Sequence, residues 1–88
     1  MNAARVVVRG RVQGVFYRDS CRSQAEAAGV TGWVSNEPDG TVHAFVEGSP
    51  DAVERLVAWM REGPPHASVD GVDVEAAEPE GHRGFEVR

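Results

Sequence analysis

At 88 residues the chain has room for one domain, 1–88, and a chain this short buries only about 60–65% of its unfolded surface, so its core is small. A hydrophobic share of 41% with 26% charged residues is the balance of an ordinary globular domain. No apolar run approaches the ~20 residues that span a bilayer, and the N-terminus lacks the charged, apolar, small-residue order of a secretory leader. A membrane protein and a secreted one are therefore not expected, and the cytoplasm is the default location. The formal charge of −5, from 14 acidic and 9 basic residues, argues against a domain built to hold nucleic acid, which usually carries a basic surplus.

Ala4 to Arg11 alternates around Val6, Val7 and Val8 and ends near Gly10, which predicts a strand. Gln13 and Gly14 follow as loop. Arg18 to Ala28 holds no Gly or Pro, places Cys21, Ala25 and Ala28 at helical spacing and stops at Gly29, which predicts a helix. Thr31 to Asn36 predicts a short strand. Glu37-Pro38-Asp39-Gly40 is a turn whose Asp-Gly pair favours a tight hairpin, and Thr41 to Glu47 returns with Val42, Ala44 and Val46 on one face. Ser49 is a good N-cap, Pro50 suits the first helical position and Asp51 complements the helix dipole. Val53, Leu56, Val57 and Met60 then follow the amphipathic helical rule until Gly63-Pro64-Pro65. Val69, Val72 and Val74 mark a fourth strand, irregular around Gly71, and Phe85 to Arg88 a last short one.

The order strand, helix, strand, strand, helix, strand predicts an α+β, ferredoxin-like βαββαβ sandwich. Its antiparallel sheet of four to five strands has both helices on one face. Right-handed crossovers then run the first and second strands the same way with the third between them. The loop from Gly10 to Arg18 and the strand end at Asn36 should share one edge of the sheet.

That loop joins a strand to a helix N-terminus, where unpaired N–H groups and the positive end of the helix dipole suit an anion. Gly14 permits the backbone angles that turn several N–H groups inward. Arg18 adds a guanidinium fork matching two phosphate oxygens. On the residues alone, a plain surface loop with a solvated arginine stays open, as does a turn-capping role for Asn36.

The run Gly10-x-Val12-Gln13-Gly14-Val15-x-x-Arg18 resembles the phosphate-binding signature of the acylphosphatase family. Gly32-Trp33-Val34-Ser35-Asn36, Asp39-Gly40-x-Val42 and Glu47-Gly48 resemble that family's second signature, and Phe85-Glu86-Val87-Arg88 resembles its C-terminal strand. Tyr17 stands where the family more usually has Phe, and Ser35 where a basic or longer side chain often occurs. The resemblance implies hydrolysis of an acyl phosphate to a carboxylate and inorganic phosphate, without a metal or other cofactor. It implies that Arg18 binds phosphate and Asn36 positions the attacking water, with Val12, Gln13, Gly14, Val15, Phe16 and Tyr17 forming the substrate-binding loop. The expected partner is the small acyl phosphate itself, and a monomer is expected.

Such chemistry suits these residues. A carboxylate leaves without being protonated at neutral pH, since its conjugate acid has a pKa of about 4. A loose phosphoryl transition state asks mainly for positioning and charge stabilisation, which a backbone cradle and Arg18 supply. An asparagine amide can hold a water for in-line attack.

Other chemistries fare worse. All nine basic residues are arginine, which excludes a Walker-type phosphate loop and any Schiff-base mechanism, although such usage can equally reflect genome composition. Cys21 has no arginine six residues after it, so a cysteine-dependent phosphatase is unsupported and Cys21 is assigned to the core. His43, His66 and His82 lack metal-ligand spacing. Trp33 is assigned to packing, and Phe16 and Tyr17 to anchoring the loop. Glu75, Glu78 and Glu80 are read as a solvated acidic stretch. A non-catalytic ferredoxin-like module that binds an anion or another ligand is the competing function; it needs the cradle but not the water-holding amide. An RNA-binding sheet lacks the paired aromatics and basic surface that role needs.

Overall fold

The computed structural model describes residues 1–88. Its elements are β1 (Asn2–Arg11), α1 (Tyr17–Ala28), β2 (Thr31–Asn36), β3 (Val42–Gly48), α2 (Pro50–Glu62), β4 (Ser68–Ala77) and β5 (Phe85–Val87). The sheet runs β4-β1-β3-β2-β5. β1 and β2 flank β3 antiparallel, and β4 pairs antiparallel with β1. β5 pairs parallel with β2, through Gly32 and Phe85, so the sheet is mixed rather than wholly antiparallel. A loop from residue 78 to 84 carries the chain back beneath the sheet and reverses its direction, which residue alternation alone does not encode. No helix is long and apolar enough to cross a membrane.

The cross-strand register puts Val6, Val8, Val34, Val42, Ala44 and Val46 on one face. The helices cover that face. Tyr17, Cys21 and Ala25 of α1 and Val53, Leu56, Val57 and Met60 of α2 join the strands' valines in one buried cluster. Each fully buried branched or aromatic side chain there contributes roughly 1.5–3 kcal/mol, the main stabilising term. Both helices end as the chain dictates. Gly29, in the left-handed conformation, closes α1, with Val30 N–H donating back to the Ala25 carbonyl. The Ser49 hydroxyl accepts from Ala52 N–H at 3.2 Å and Pro50 opens α2.

The hairpin turn differs in detail from expectation. Pro38 holds a negative φ at the first central position, so the hairpin is not the two-residue Asp-Gly type. Its loop spans three residues, with Gly40 N–H donating to the Glu37 carbonyl at 3.0 Å and Gly40 itself at φ 92°. The irregularity near Gly71 is a bulge: Arg9 faces Gly71 and Gly10 faces Val69, leaving Asp70 as the extra residue.

Gly32 is required by a close approach. Its φ is 138°, and a Cβ there would sit 1.8 Å from the Phe45 carbonyl oxygen on the neighbouring strand. Gly32→Ala is expected to cost about 3 kcal/mol, because both the backbone angle and the ladder must yield. Urea denaturation measures it, and a variant as stable as wild type contradicts the approach.

The helix-free face carries Arg5, Trp33, His43, Phe45 and Glu47. The 78–84 loop covers part of it. Glu47, buried on β3, accepts N–H bonds from Glu80 at 2.7 Å, from Gly81 at 3.3 Å and from His82, whose ring lies 5.4 Å from that of Phe45. Burial pushes the Glu47 carboxyl up, but the loop N–H groups and the nearby His82 outweigh it and hold the group below the ordinary carboxylate range. A lowered folded value means that this stabilisation is complete above the unfolded value, about 4.3, and is lost as pH falls through the folded one. Glu47→Gln is therefore expected to lower the melting temperature at neutral pH and to flatten its fall in acid. Melts between neutral pH and pH 2 check this; an unchanged acid limb refutes it.

Candidate active site

The last rung between β1 and β3 is Val8 opposite Val42, whereas β1 stays paired with β4 as far as Arg11. Beyond that rung the chain swings away from β3 and curls into the bends of residues 13–16 before α1 begins. Gly14 sits at φ 74°, and Phe16, a non-glycine residue, at φ 63° and ψ 25°. The left-handed conformation costs a side-chain-bearing residue roughly 1–2 kcal/mol. Strain of this kind is concentrated where a loop must present its backbone to a ligand.

The hydrogen bonding agrees with such a presentation. None of the main-chain N–H groups from Gln13 to Asp19 donates to a main-chain carbonyl; the first to do so is Ser20, to the Phe16 carbonyl at 3.1 Å. Phe16 occupies the N-cap of α1 without a side-chain cap bond. The amides of the first helical turn therefore stay free at the positive end of the dipole.

These groups border a cavity of ≈ 370 Å³ lined by Val12, Gly14, Phe16, Tyr17, Arg18, Asp19 and Asn36. The strand-end residue and the loop arginine, separated in sequence, thus share one concavity at one edge of the sheet. Asn36 Oδ1 is buried and has no hydrogen-bond partner in the protein. Leaving a buried acceptor unpaired costs about 1–3 kcal/mol, which makes this the most informative polar atom of the molecule.

Arg18 is braced from behind. Its Nη1 donates to the Arg88 main-chain oxygen at 2.7 Å. Arg88 is itself fixed, with its N–H donating to the Val34 carbonyl at 2.8 Å and its guanidinium stacked 4.7 Å from the centroid of Trp33. β2 thus carries Asn36 directly and supports Arg18 through Arg88, the residue after β5. Since a guanidinium has five N–H donors, four remain after the bond to Arg88.

The other loop residues divide. Val12, Val15 and Tyr17 are buried, so their side chains anchor the loop in the core. The Tyr17 hydroxyl donates to the Met60 carbonyl at 2.7 Å, satisfying one of the orphan carbonyls at the end of α2. Burial pushes its phenol above the ordinary range, which keeps it a donor. Gln13 turns away from the cavity toward the hairpin. Phe16, expected to anchor the loop, is instead 74% exposed at the cavity rim, because its left-handed backbone points the ring outward. Asp19 also lines the cavity, although an acidic residue in a helix's first turn reads from sequence as no more than a dipole partner.

Cys21 is fully buried and its thiol is pushed up to about 12 by burial, so it is no nucleophile. Glu80 is less isolated than a solvated acidic stretch implies, lying 3.5 Å from Arg5 and 3.0 Å from His82. A further cavity of ≈ 420 Å³ on the helix-free face includes Arg5, Trp33, His43, Asp73 and Glu75 in its lining. Asp73 there is already paired with Arg9.

Comparison with known proteins agrees with this geometry. A family model described as Acylphosphatase matches residues 4–87. The chain belongs to the acylphosphatase family. It is 63% identical over 86 residues to an acylphosphatase of Rubrobacter xylanophilus, covering 96% of this chain and 77% of that one. Among solved structures, an acylphosphatase from Coxiella burnetii superposes with a TM-score of 0.95 at 41% identity, covering 99% of this chain and 92% of the other. The acylphosphatase from Bacillus subtilis gives 0.97 at 34% identity, covering 100% and 99%. The ferredoxin-like α+β architecture of the acylphosphatase family therefore extends over essentially the whole chain.

Proposed function

We propose that this enzyme hydrolyses the carboxyl–phosphate bond of acyl phosphates by in-line attack of water, without a metal ion. The phosphoryl group sits against the free amides of the 13–19 segment and the Arg18 guanidinium. Asn36 Oδ1 accepts a hydrogen bond from the attacking water and aims its oxygen at phosphorus. As the new P–O bond forms, the bond from phosphorus to the acyl oxygen breaks, and its electron pair leaves with the carboxylate. The water's proton passes to a phosphate oxygen.

The arrangement asks little acid–base chemistry of the protein. The leaving group needs no proton, its conjugate acid having a pKa of about 4. A loose transition state needs little deprotonation of the nucleophile. What remains is charge stabilisation and alignment, the two things a rigid amide cradle, a fork of donors and a fixed acceptor provide. The single observation that carries the reading is that Asn36, whose Oδ1 has no hydrogen-bond partner in the protein, lines one cavity with Arg18 and the loop. A module that only binds anions has no use for such an acceptor, which repels negative charge.

Residues 1–88 act in this proposal as one catalytic domain, working as a monomer in the cytoplasm. Hydrolysis of benzoyl phosphate by the purified protein, with and without a chelator, tests it. Equal turnover in both conditions is expected. No hydrolysis by folded protein favours the binding module, and loss with chelator overturns the metal-free step.

A further inference from the structure

We propose that Gln13 is a positioning residue for this reaction, its side-chain amide setting the distance between the phosphate-binding loop and Asn36. The inference rests on the proposed function of the site and assigns Gln13 to the aim of the attacking water, not to the grip on phosphate.

Gln13 lies in the middle of the loop, yet its side chain leaves the cavity. Nε2 donates to the Glu37 carbonyl at 2.8 Å and to the Thr41 carbonyl at 2.9 Å. Both partners are acceptors only, so the NH₂ end of the amide must face them. Each carbonyl already receives a bond inside the hairpin: Glu37 from Gly40 N–H at 3.0 Å, and Thr41 from Glu37 N–H at 2.9 Å. Gln13 uses both of its donors to take the second lone pair of each. It closes the base of the hairpin at the residue immediately after Asn36.

The backbone does not make this connection. The β1–β3 ladder ends at Val8 opposite Val42, before the loop begins, and β1 continues against β4 on its other side. The strand end that holds Asn36 and the loop that holds the phosphoryl group are thus joined across the gap by one partly buried amide. In-line attack needs the reacting atoms about 3–3.5 Å apart, and a misplacement of about 1 Å costs on the order of 10²-fold in rate. The loop amides and Arg18 do not depend on that clip for their own geometry, since Val12, Val15 and Tyr17 root them in the core.

Gln13→Met keeps the length and removes both donors; Gln13→Glu keeps the shape and presents only acceptors at neutral pH. Both are compared with wild type in benzoyl phosphate hydrolysis, in competitive inhibition by inorganic phosphate and in thermal melts. In both variants kcat is expected to fall about 10–100-fold, while the phosphate inhibition constant stays within about 2-fold because the cradle is intact. Should one variant fail to fold, the other decides. Wild-type kcat in a folded variant overturns the proposal. A weakened phosphate inhibition constant with kcat retained also overturns it, and returns Gln13 to substrate binding. Unfolding of both variants reduces the amide to a structural clip and overturns it as well. A wild-type protein inactive on benzoyl phosphate removes the underlying reading of the site, a failure distinct from these.

Discussion

Asn36→Ala is expected to lower kcat for benzoyl phosphate by about 10²–10³-fold, with inorganic phosphate still competing at near wild-type affinity. The split follows from what the side chain does. Asn36 lines the cavity and its Oδ1 has no protein partner, so in the proposed reading the side chain serves to hold a water rather than to fasten β2. In the same reading the phosphoryl group is held by other residues, so its binding is expected to survive. Deleting a buried acceptor that no protein donor satisfies removes a desolvation cost of about 1–3 kcal/mol. The melting temperature is therefore expected to stay level or rise as activity falls, the exchange of stability for function common at active sites. Steady-state kinetics and a thermal melt on the same preparation test both halves. Turnover within about 3-fold of wild type excludes the water-holding role.

Arg18→Lys is expected to fail almost as badly as Arg18→Ala, with kcat/KM down by about 10³-fold in each. Lysine keeps the charge but not the fork. In this structure one guanidinium nitrogen is engaged by the Arg88 main-chain oxygen, while the planar group still has donors to offer a phosphoryl group. An ammonium is a single point of charge, and the same Arg88 oxygen draws it away from the cavity. In the proposed reading Arg18, unlike Asn36, contacts the phosphoryl group in both ground and transition states, so phosphate inhibition is expected to weaken together with turnover. A fully active Arg18→Lys protein contradicts bidentate recognition. Normal phosphate inhibition in Arg18→Ala removes Arg18 from the site.

Much of the fold was legible because local rules and global packing agree. The valines of β1 alternate, α2 opens on Ser-Pro-Asp, and α1 closes on a glycine that takes the left-handed conformation. Where the reading and the structure part, either a long-range contact or a loop's own backbone angle is responsible. The parallel pairing of β5 depends on the path of the 78–84 loop, which Glu47 straps to the open face from 33 to 35 residues away. Phe16 reads as a core aromatic by composition, but the loop's backbone angle turns its ring to solvent.

From residue order alone came the secondary structure, the ferredoxin-like topology and the placement of an arginine and an asparagine at one sheet edge. These follow from short-range periodicity, capping and crossover handedness, which a one-dimensional pattern encodes. Only the tertiary structure decided how each loop residue is placed: which amides stay free, that Asn36 has an unpaired oxygen, that Gln13 faces the hairpin, and that Arg88 braces Arg18. Those properties depend on distances between segments remote in the chain, and hydrogen bonding is settled only when the packed backbone has fixed which groups meet.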